Sequence, residues 1–176
     1  MDEILEQIKT RRSIRKYKND AVPQDMLDSI IEAGLYAASG RGTQNPVIVQ
    51  VTDKNLRDKL MRMNASIMGR EGTDPFYGAP AILIVLAKKD CSTYLYDGSL
   101  VMGNMMMAAH MLGLGSCWIH RAKEEFETEE GKEILRSLGI DGNYEGIGHC
   151  IVGYVDGEYP TDVQRKSGRV FMQDNM

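Results

Sequence analysis

The stretch Ala81 to Ala87 reads Ala-Ile-Leu-Ile-Val-Leu-Ala, seven apolar residues without a polar interruption. A strand with one wet face alternates polar and apolar residues, so a continuous apolar run predicts a strand buried on both faces. A chain organised on it must supply helices to both sides of a sheet. The flanking sequence does so. Asp2 to Arg12 predicts a short helix capped by Asp2, with Ile4, Leu5 and Ile8 on one face. Pro23 opens a second helix with Met26, Leu27, Ile30, Ile31, Gly34 and Leu35 as its expected buried stripe, stopping near Ser39-Gly40. A third runs from Asn55 to Met68 on Leu56, Leu60, Met63 and Ile67.

Ser99 to Leu114 is apolar almost all round, the mark of a central core helix or an interface helix, and its Met105-Met106-Met107 run belongs to that packing. Lys123 to Leu138 predicts one charged surface helix. Further strands are predicted at Val47–Val51, Ser116–Ile119 and His149–Val155, with loops at Gly40–Pro46 and Gly69–Pro80. No repeat, low-complexity segment or linker interrupts this pattern. The expectation is one domain over 1–176, an α+β sandwich with helices around a small mixed β-sheet. From 156 to 176 the periodicity stops; a tail so polar is either frayed or lies along a partner subunit.

Composition bounds the function. A chain of 176 residues with 43% hydrophobic and 26% charged residues is that of a globular protein, and its net charge of -4 argues against nucleic acid as partner. No apolar run approaches the ~20 residues of a membrane span, and the acidic start Met1-Asp2-Glu3 predicts no export signal. Cys91, Cys117 and Cys150 are odd in number and widely spaced, which predicts reduced thiols in a cytoplasmic setting. Twelve methionines suit the same reducing interior. No ligand pair has metal-binding spacing and no Gly-x-Ser-x-Gly occurs. Gly113-x-Gly115 is not a dinucleotide fingerprint, because Trp118 stands where the third glycine belongs. His110, His149 and Cys117 are expected as packing residues.

The most concentrated chemistry is Arg11-Arg12-Ser13-Ile14-Arg15-Lys16-Tyr17: three arginines, a lysine, a hydroxyl and an aromatic in seven residues. Taken alone this is a solvated basic patch. Guanidinium forks and a hydroxyl also match the oxygens of a phosphate. Its company settles what it resembles. Ala37-Ala38-Ser39-Gly40-Arg41-Gly42-Thr43-Gln44, the Ala79-Pro80 lead-in to an apolar strand, Leu112-Gly113-Leu114-Gly115-Ser116-Cys117-Trp118, and Arg165-Lys166-Ser167-Gly168-Arg169 follow in order. Together these blocks resemble the nitroreductase family of flavoenzymes.

The resemblance implies FMN at the interface of a homodimer, reduced by NADH or NADPH and reoxidised by nitroaromatics, quinones or another small-molecule acceptor in ping-pong exchange. It implies that Arg11 and Ser13 hold the FMN phosphate with Lys166 and Arg169, that Arg12 lines the phosphate or ribityl chain, and that Arg15 lies near the pyrimidine edge. Ser39, Gly40 and Gln44 match a loop that reaches the flavin in part from the other subunit, and Trp118, Ile119 and His120 match the segment passing the ring. A tail over 156–176 would wrap the partner subunit. No catalytic acid or base is implied, since the isoalloxazine does the chemistry. The loop departs from the family pattern at Gly42 and at Asn45-Pro46-Val47, and little chain between Ala87 and Ser99 is left for a lid, which predicts an open site. The alternative is a flavin store or redox sensor without significant turnover.

Overall fold

The structure, a computed structural model, describes residues 2–173. In order it contains α1 (Asp2–Thr10), α2 (Gln24–Leu35), a single 3-10 turn (Gly40–Gly42), β1 (Val47–Val51), α3 (Lys54–Ile67), β2 (Ala81–Lys88), α4 (Tyr94–Met111), β3 (Gly115–Ile119), α5 (Ala122–Glu127), α6 (Glu129–Ser137) and β4 (Tyr144–Gly153). The four strands form one sheet in the order β1-β2-β4-β3. Every pairing between them is antiparallel. The expected parallel component is reduced to one isolated bridge, Ser13 to Ser116.

The apolar run of β2 is buried on both faces, as its lack of alternation requires. Ile82, Ile84 and Leu86 face a core shared with Leu60 and Met63 of α3, Phe126 of α5, Ile134 and Leu135 of α6, and Phe76. Leu83, Val85 and Ala87 face the other core, with Leu27 and Ile30 of α2 and Val101, Met102, Met105 and Ala109 of α4. One bulge interrupts the pairing of β2 with β4, between Val85 and Leu86. Helices on both faces of a small sheet make the α+β sandwich.

Four expectations are corrected. The charged helix is two helices: Thr128 is extended (φ -71°, ψ 158°) and its hydroxyl accepts the Gly131 N–H at 3.0 Å, so it caps α6 and ends α5. The core helix starts at Tyr94 instead of Ser99, since Thr93 already accepts the Asp97 N–H. The last strand starts five residues early, at Tyr144, because its glycines Gly146 and Gly148 accept close neighbours on the sheet. In α2, Leu35 of the expected buried stripe lies at the helix end and is exposed at 58%.

Gly146 shows how tightly α5 is seated. A methyl group added there would stand 2.3 Å from the Ala122 carbonyl oxygen. Gly146→Ala should therefore lower stability by about 1–3 kcal/mol, the usual effect of overpacking against backbone. A thermal melt measures it, and an unchanged midpoint would mean that α5 is free to shift.

Candidate functional site

The basic segment leaves α1 and runs along the outer edge of β3. The Ile14 N–H donates to the Ser116 carbonyl at 3.0 Å, forming the Ser13–Ser116 bridge. The ladder goes no further, because the Ile14 carbonyl accepts the buried Tyr17 hydroxyl at 2.9 Å. Beyond Ser116 the edge of β3 is therefore open, and the cavities lie there.

Two cavities meet at Arg15. One, of about 280 Å³, is lined by Arg11, Arg12, Ser13 and Arg15 with Thr161 and Arg165 of the tail. The second, of about 300 Å³, is lined by Arg15 with Trp118, Ile119, His120, Arg121 and Tyr77. The structure thus brings together Arg11, Arg12, Ser13, Arg15, Trp118, Ile119 and His120. Arg165 is the tail cation in this wall; Lys166 and Arg169 are exposed and line neither cavity.

The two adjacent arginines differ. Arg12 is committed within the chain: its Nη1 donates to the Lys9 carbonyl at 2.5 Å and the Arg11 carbonyl at 2.9 Å, its Nε to the Thr161 carbonyl at 3.3 Å, and its Nη2 pairs with Asp162. Arg11 Nη1 is buried and has no partner. A buried guanidinium N–H without an acceptor is costly, and a phosphate oxygen in the adjoining cavity would satisfy it. The residues present therefore fit a phosphate group. Trp118 Nε1 is likewise buried and unpaired; its indole packs over Gly148, where an added methyl carbon would stand 2.1 Å from it. The ring centroids of Trp118 and His120 lie 6.0 Å apart.

The Ser39–Gln44 loop is elsewhere. Gly40, Gln44 and Arg41 line a separate cavity of about 600 Å³ with Lys88, Cys91, Thr93 and Tyr144, which shares no lining residue with the other two. The loop is built tightly. Gly40 N–H donates to buried Asp97 at 2.9 Å, Gln44 N–H donates to the Ser39 hydroxyl at 3.0 Å, and a methyl group on Gly40 would meet the Thr93 hydroxyl at 2.3 Å. Hydrogen bonds from Thr93, then Thr43 and Asn45, hold the Cys91 thiol below its ordinary range. The loop adjoins β1 at one edge of the sheet, whereas Arg15 adjoins β3 at the other. Those outer strands are three steps apart, roughly 14 Å at the usual strand spacing.

Sequence reasoning missed Arg165 as the tail cation, Tyr77 and Arg121 in the second cavity's wall, and the buried residues behind them. Asn64, Glu125 and His149 are fully buried and polar. Glu125 and Asn64 each sit within an apolar helical period, and only the full burial of such residues marks them. Among the described residues no cluster of His, Cys, Asp or Glu is arranged to hold a metal ion.

Residues 8–154 match the model of the nitroreductase family. A relative from Methanothermobacter thermautotrophicus, whose name pairs NADH dehydrogenase with NAD(P)H nitroreductase, is 32% identical over 120 residues; the match covers 66% of this chain and 60% of that relative's length. The NADPH-flavin oxidoreductase of Vibrio harveyi is 29% identical over 185 residues, covering 99% of this chain and 75% of its own. The crystal structure of a nitroreductase with bound FMN from Bacteroides fragilis superposes with a TM-score of 0.89 at 29% identity, covering 99% of this chain and 100% of that one.

His110 ties the basic segment to the tail. Its Nε2 lies 3.0 Å from the Thr10 hydroxyl and its Nδ1 3.2 Å from the Tyr159 hydroxyl, which also accepts the Arg12 N–H at 3.1 Å. Burial, and then the charges of Arg11 and Arg12, hold the imidazole below the ordinary histidine range. The unfolded chain then binds the proton more readily, so stability falls as pH drops through the ordinary histidine value. His110→Gln should flatten the decline in melting temperature between about pH 7 and 5. A decline as steep as in the parent would exclude His110 as its source.

Proposed function

The chain belongs to the nitroreductase family, and from that premise we propose that it is an FMN-dependent oxidoreductase that oxidises NADH or NADPH and reduces nitroaromatics, quinones or a related small acceptor. The observation that carries this reading is the buried, unpartnered Nη1 of Arg11, a residue that lines a cavity of cations sharing Arg15 with a second cavity beside Trp118–His120. The named activities and bound FMN of the relatives support the same reading.

Arg11 and Ser13 hold the phosphate side, with Arg165 added from the tail; Arg12 frames the cavity while anchored to Asp162. A phosphate carries close to two negative charges, which converging guanidinium groups neutralise. Lys166 and Arg169 reach it only if the tail rearranges, for instance against a partner subunit. Bound there, FMN supplies two-electron chemistry, taking hydride from a nicotinamide and handing electrons to an acceptor. The protein's part is to bind, orient and shield. Arg15, shared by both cavities, favours negative charge on the pyrimidine edge of a ring placed between them. The main chain of Trp118, Ile119 and His120 forms the wall along that ring, and no side chain is assigned as acid or base.

The separation of Ser39, Gly40 and Gln44 from Arg15 supports a homodimer in which each site takes this loop from the other copy. Exposed Leu95, Tyr96, Leu100, Met111 and Phe171 provide apolar surface for such an interface. We read 1–176 as one FMN-binding domain with 156–176 as the tail that embraces the partner; residues 174–176 lie outside the described residues. Cys91, Cys117 and Cys150 are free thiols, which supports a cytoplasmic setting, and burial pushes the Cys150 thiol up to about 12. Among the described residues no helix is long and apolar enough to cross a membrane.

The deciding experiment is the visible spectrum of the purified protein before and after anaerobic NADH or NADPH. Flavin bands that bleach are expected; bands that persist would indicate a flavin store, and a protein that takes up no FMN would overturn the reading. Arg11→Ala should weaken FMN binding by at least about tenfold, the scale of a lost charge-assisted hydrogen bond. Equal flavin occupancy in parent and variant would remove Arg11 from the phosphate site. Truncation after Val155 should reduce both flavin retention and dimer content, read by sedimentation, and a truncated protein that keeps both would argue against an embracing tail.

A further inference from the structure

Behind the wall of the second cavity lie Asn64 of α3, Glu125 of α5 and His149 of β4, each with no solvent exposure. Asn64 Nδ2 donates to the His120 carbonyl at 2.9 Å and to Glu125 Oε1, while its Oδ1 accepts Arg121 Nε at 2.9 Å. The opposite amide orientation would set an oxygen against a carbonyl and a carboxylate, so these contacts fix which atom is which. Glu125 Oε2 lies 3.0 Å from His149 Nε2, and His149 Nδ1 lies 3.4 Å from the Ile119 carbonyl. The Phe76 ring covers the imidazole, with centroids 5.1 Å apart.

We infer that Asn64, Glu125 and His149 are positioning residues that fix the main chain of Ile119, His120 and Arg121 as the donor wall of the cavity. The argument is one of accounting. An apolar trio of similar volume would fill this space without desolvating a carboxylate and an imidazole. What only the polar trio supplies is Asn64's hold on the His120 carbonyl, just past the last residue of β3 paired with β4, with a further contact from His149 on the Ile119 carbonyl that the sheet already turns inward. In a trans peptide the N–H points opposite to the carbonyl. The N–H groups of His120 and Arg121 are therefore directed away from the trio, to the side on which the cavity with Arg15 opens. Arg121 completes the turn in the left-handed region, at φ 79°, and its side chain is held there by Asn64.

The trio does not relay protons into the cavity. Its contacts to the wall end on carbonyl oxygens, which accept hydrogen bonds and have no proton to pass on. Its bonds are all satisfied when the His149–Glu125 pair holds two protons between them, either as imidazolium and carboxylate or as neutral imidazole and carboxylic acid. In both arrangements Nδ1–H faces the Ile119 carbonyl.

This inference rests on the FMN reading of the cavity, and its test separates the two. Asn64→Leu keeps the volume and removes the amide. In the FMN-free variant, amide exchange followed by NMR should accelerate at residues 119–122 and leave β2 unchanged. In the wild type, added FMN should protect the His120 and Arg121 amides. With Asn64→Leu that protection should be lost, the FMN dissociation constant should rise about tenfold, and the flavin's visible band should shift. Glu125→Gln keeps an acceptor for Asn64 and offers an N–H to a neutral His149, so it should stay near wild type where Glu125→Leu does not. Exchange that accelerates equally across β2 and β4, or a variant complex with an unshifted band and unchanged affinity, would overturn the positioning role. A wild-type protein that takes up no FMN overturns the cofactor reading instead, and the FMN-free exchange comparison still decides the positioning. Should Asn64→Leu fail to fold, Asn64→Ser carries the same comparison.

Discussion

At the edge of the sheet the buried Tyr17 hydroxyl donates to the Ile14 carbonyl, just after Ile14 itself has donated to Ser116. Burial raises the phenol's pKa above its ordinary value, so the group remains a donor across the range in which the fold survives. With that carbonyl taken, the segment turns away and Tyr17 returns to bridge Val155. The rest of β3 keeps an open edge, and the side chains of Arg11, Ser13 and Arg15 are set beside it rather than paired into it. A sheet edge is ordinarily a liability to be covered; here the chain stops covering it at the point where a ligand would take over.

That edge can stay open because β2 carries the fold's stability. Two separate apolar clusters meet its two faces, one with α3, α5 and α6 and one with α2 and α4. The outer strands then serve as mounts. β1 presents the Ser39–Gln44 loop, and β3 presents the wall at Trp118–Arg121. Because both are attached to the same rigid centre, their separation is fixed within one chain.

The apolar run of β2, most of the stripe of α2 and the core helix were legible because each is a pattern of apolar residues, continuous or periodic, that burial alone explains. The cation segment was legible as a composition and became a site through its ordered companions along the chain. Other features were written in no local pattern. Thr128 divides a charged helix through one hydroxyl, a cap that reads equally well as a mid-helix threonine. Arg165 and Lys166 are neighbours in sequence, and only the path of the tail decides which one faces the cavity. Asn64, Glu125 and His149 come from three distant elements; each is unremarkable alone, and their meaning is their meeting.

The division of labour between Arg11 and Arg12 follows from charge. Arg11, Arg12, Arg15 and Arg165 converge on one small cavity, where like charges repel and the low dielectric of a partly buried wall strengthens the repulsion. Asp162 neutralises Arg12, and three carbonyls take up three more of its five donors. This contact also sets the tail's register, since Tyr159 and Thr161 approach the same residue. No carboxylate contacts Arg11 among the described ion pairs, and its buried Nη1 is left without an acceptor. A structure that saturates one arginine and leaves its neighbour open has not simply placed basic residues at its surface. It has fixed the frame with one cation and left a buried donor of the other unpaired.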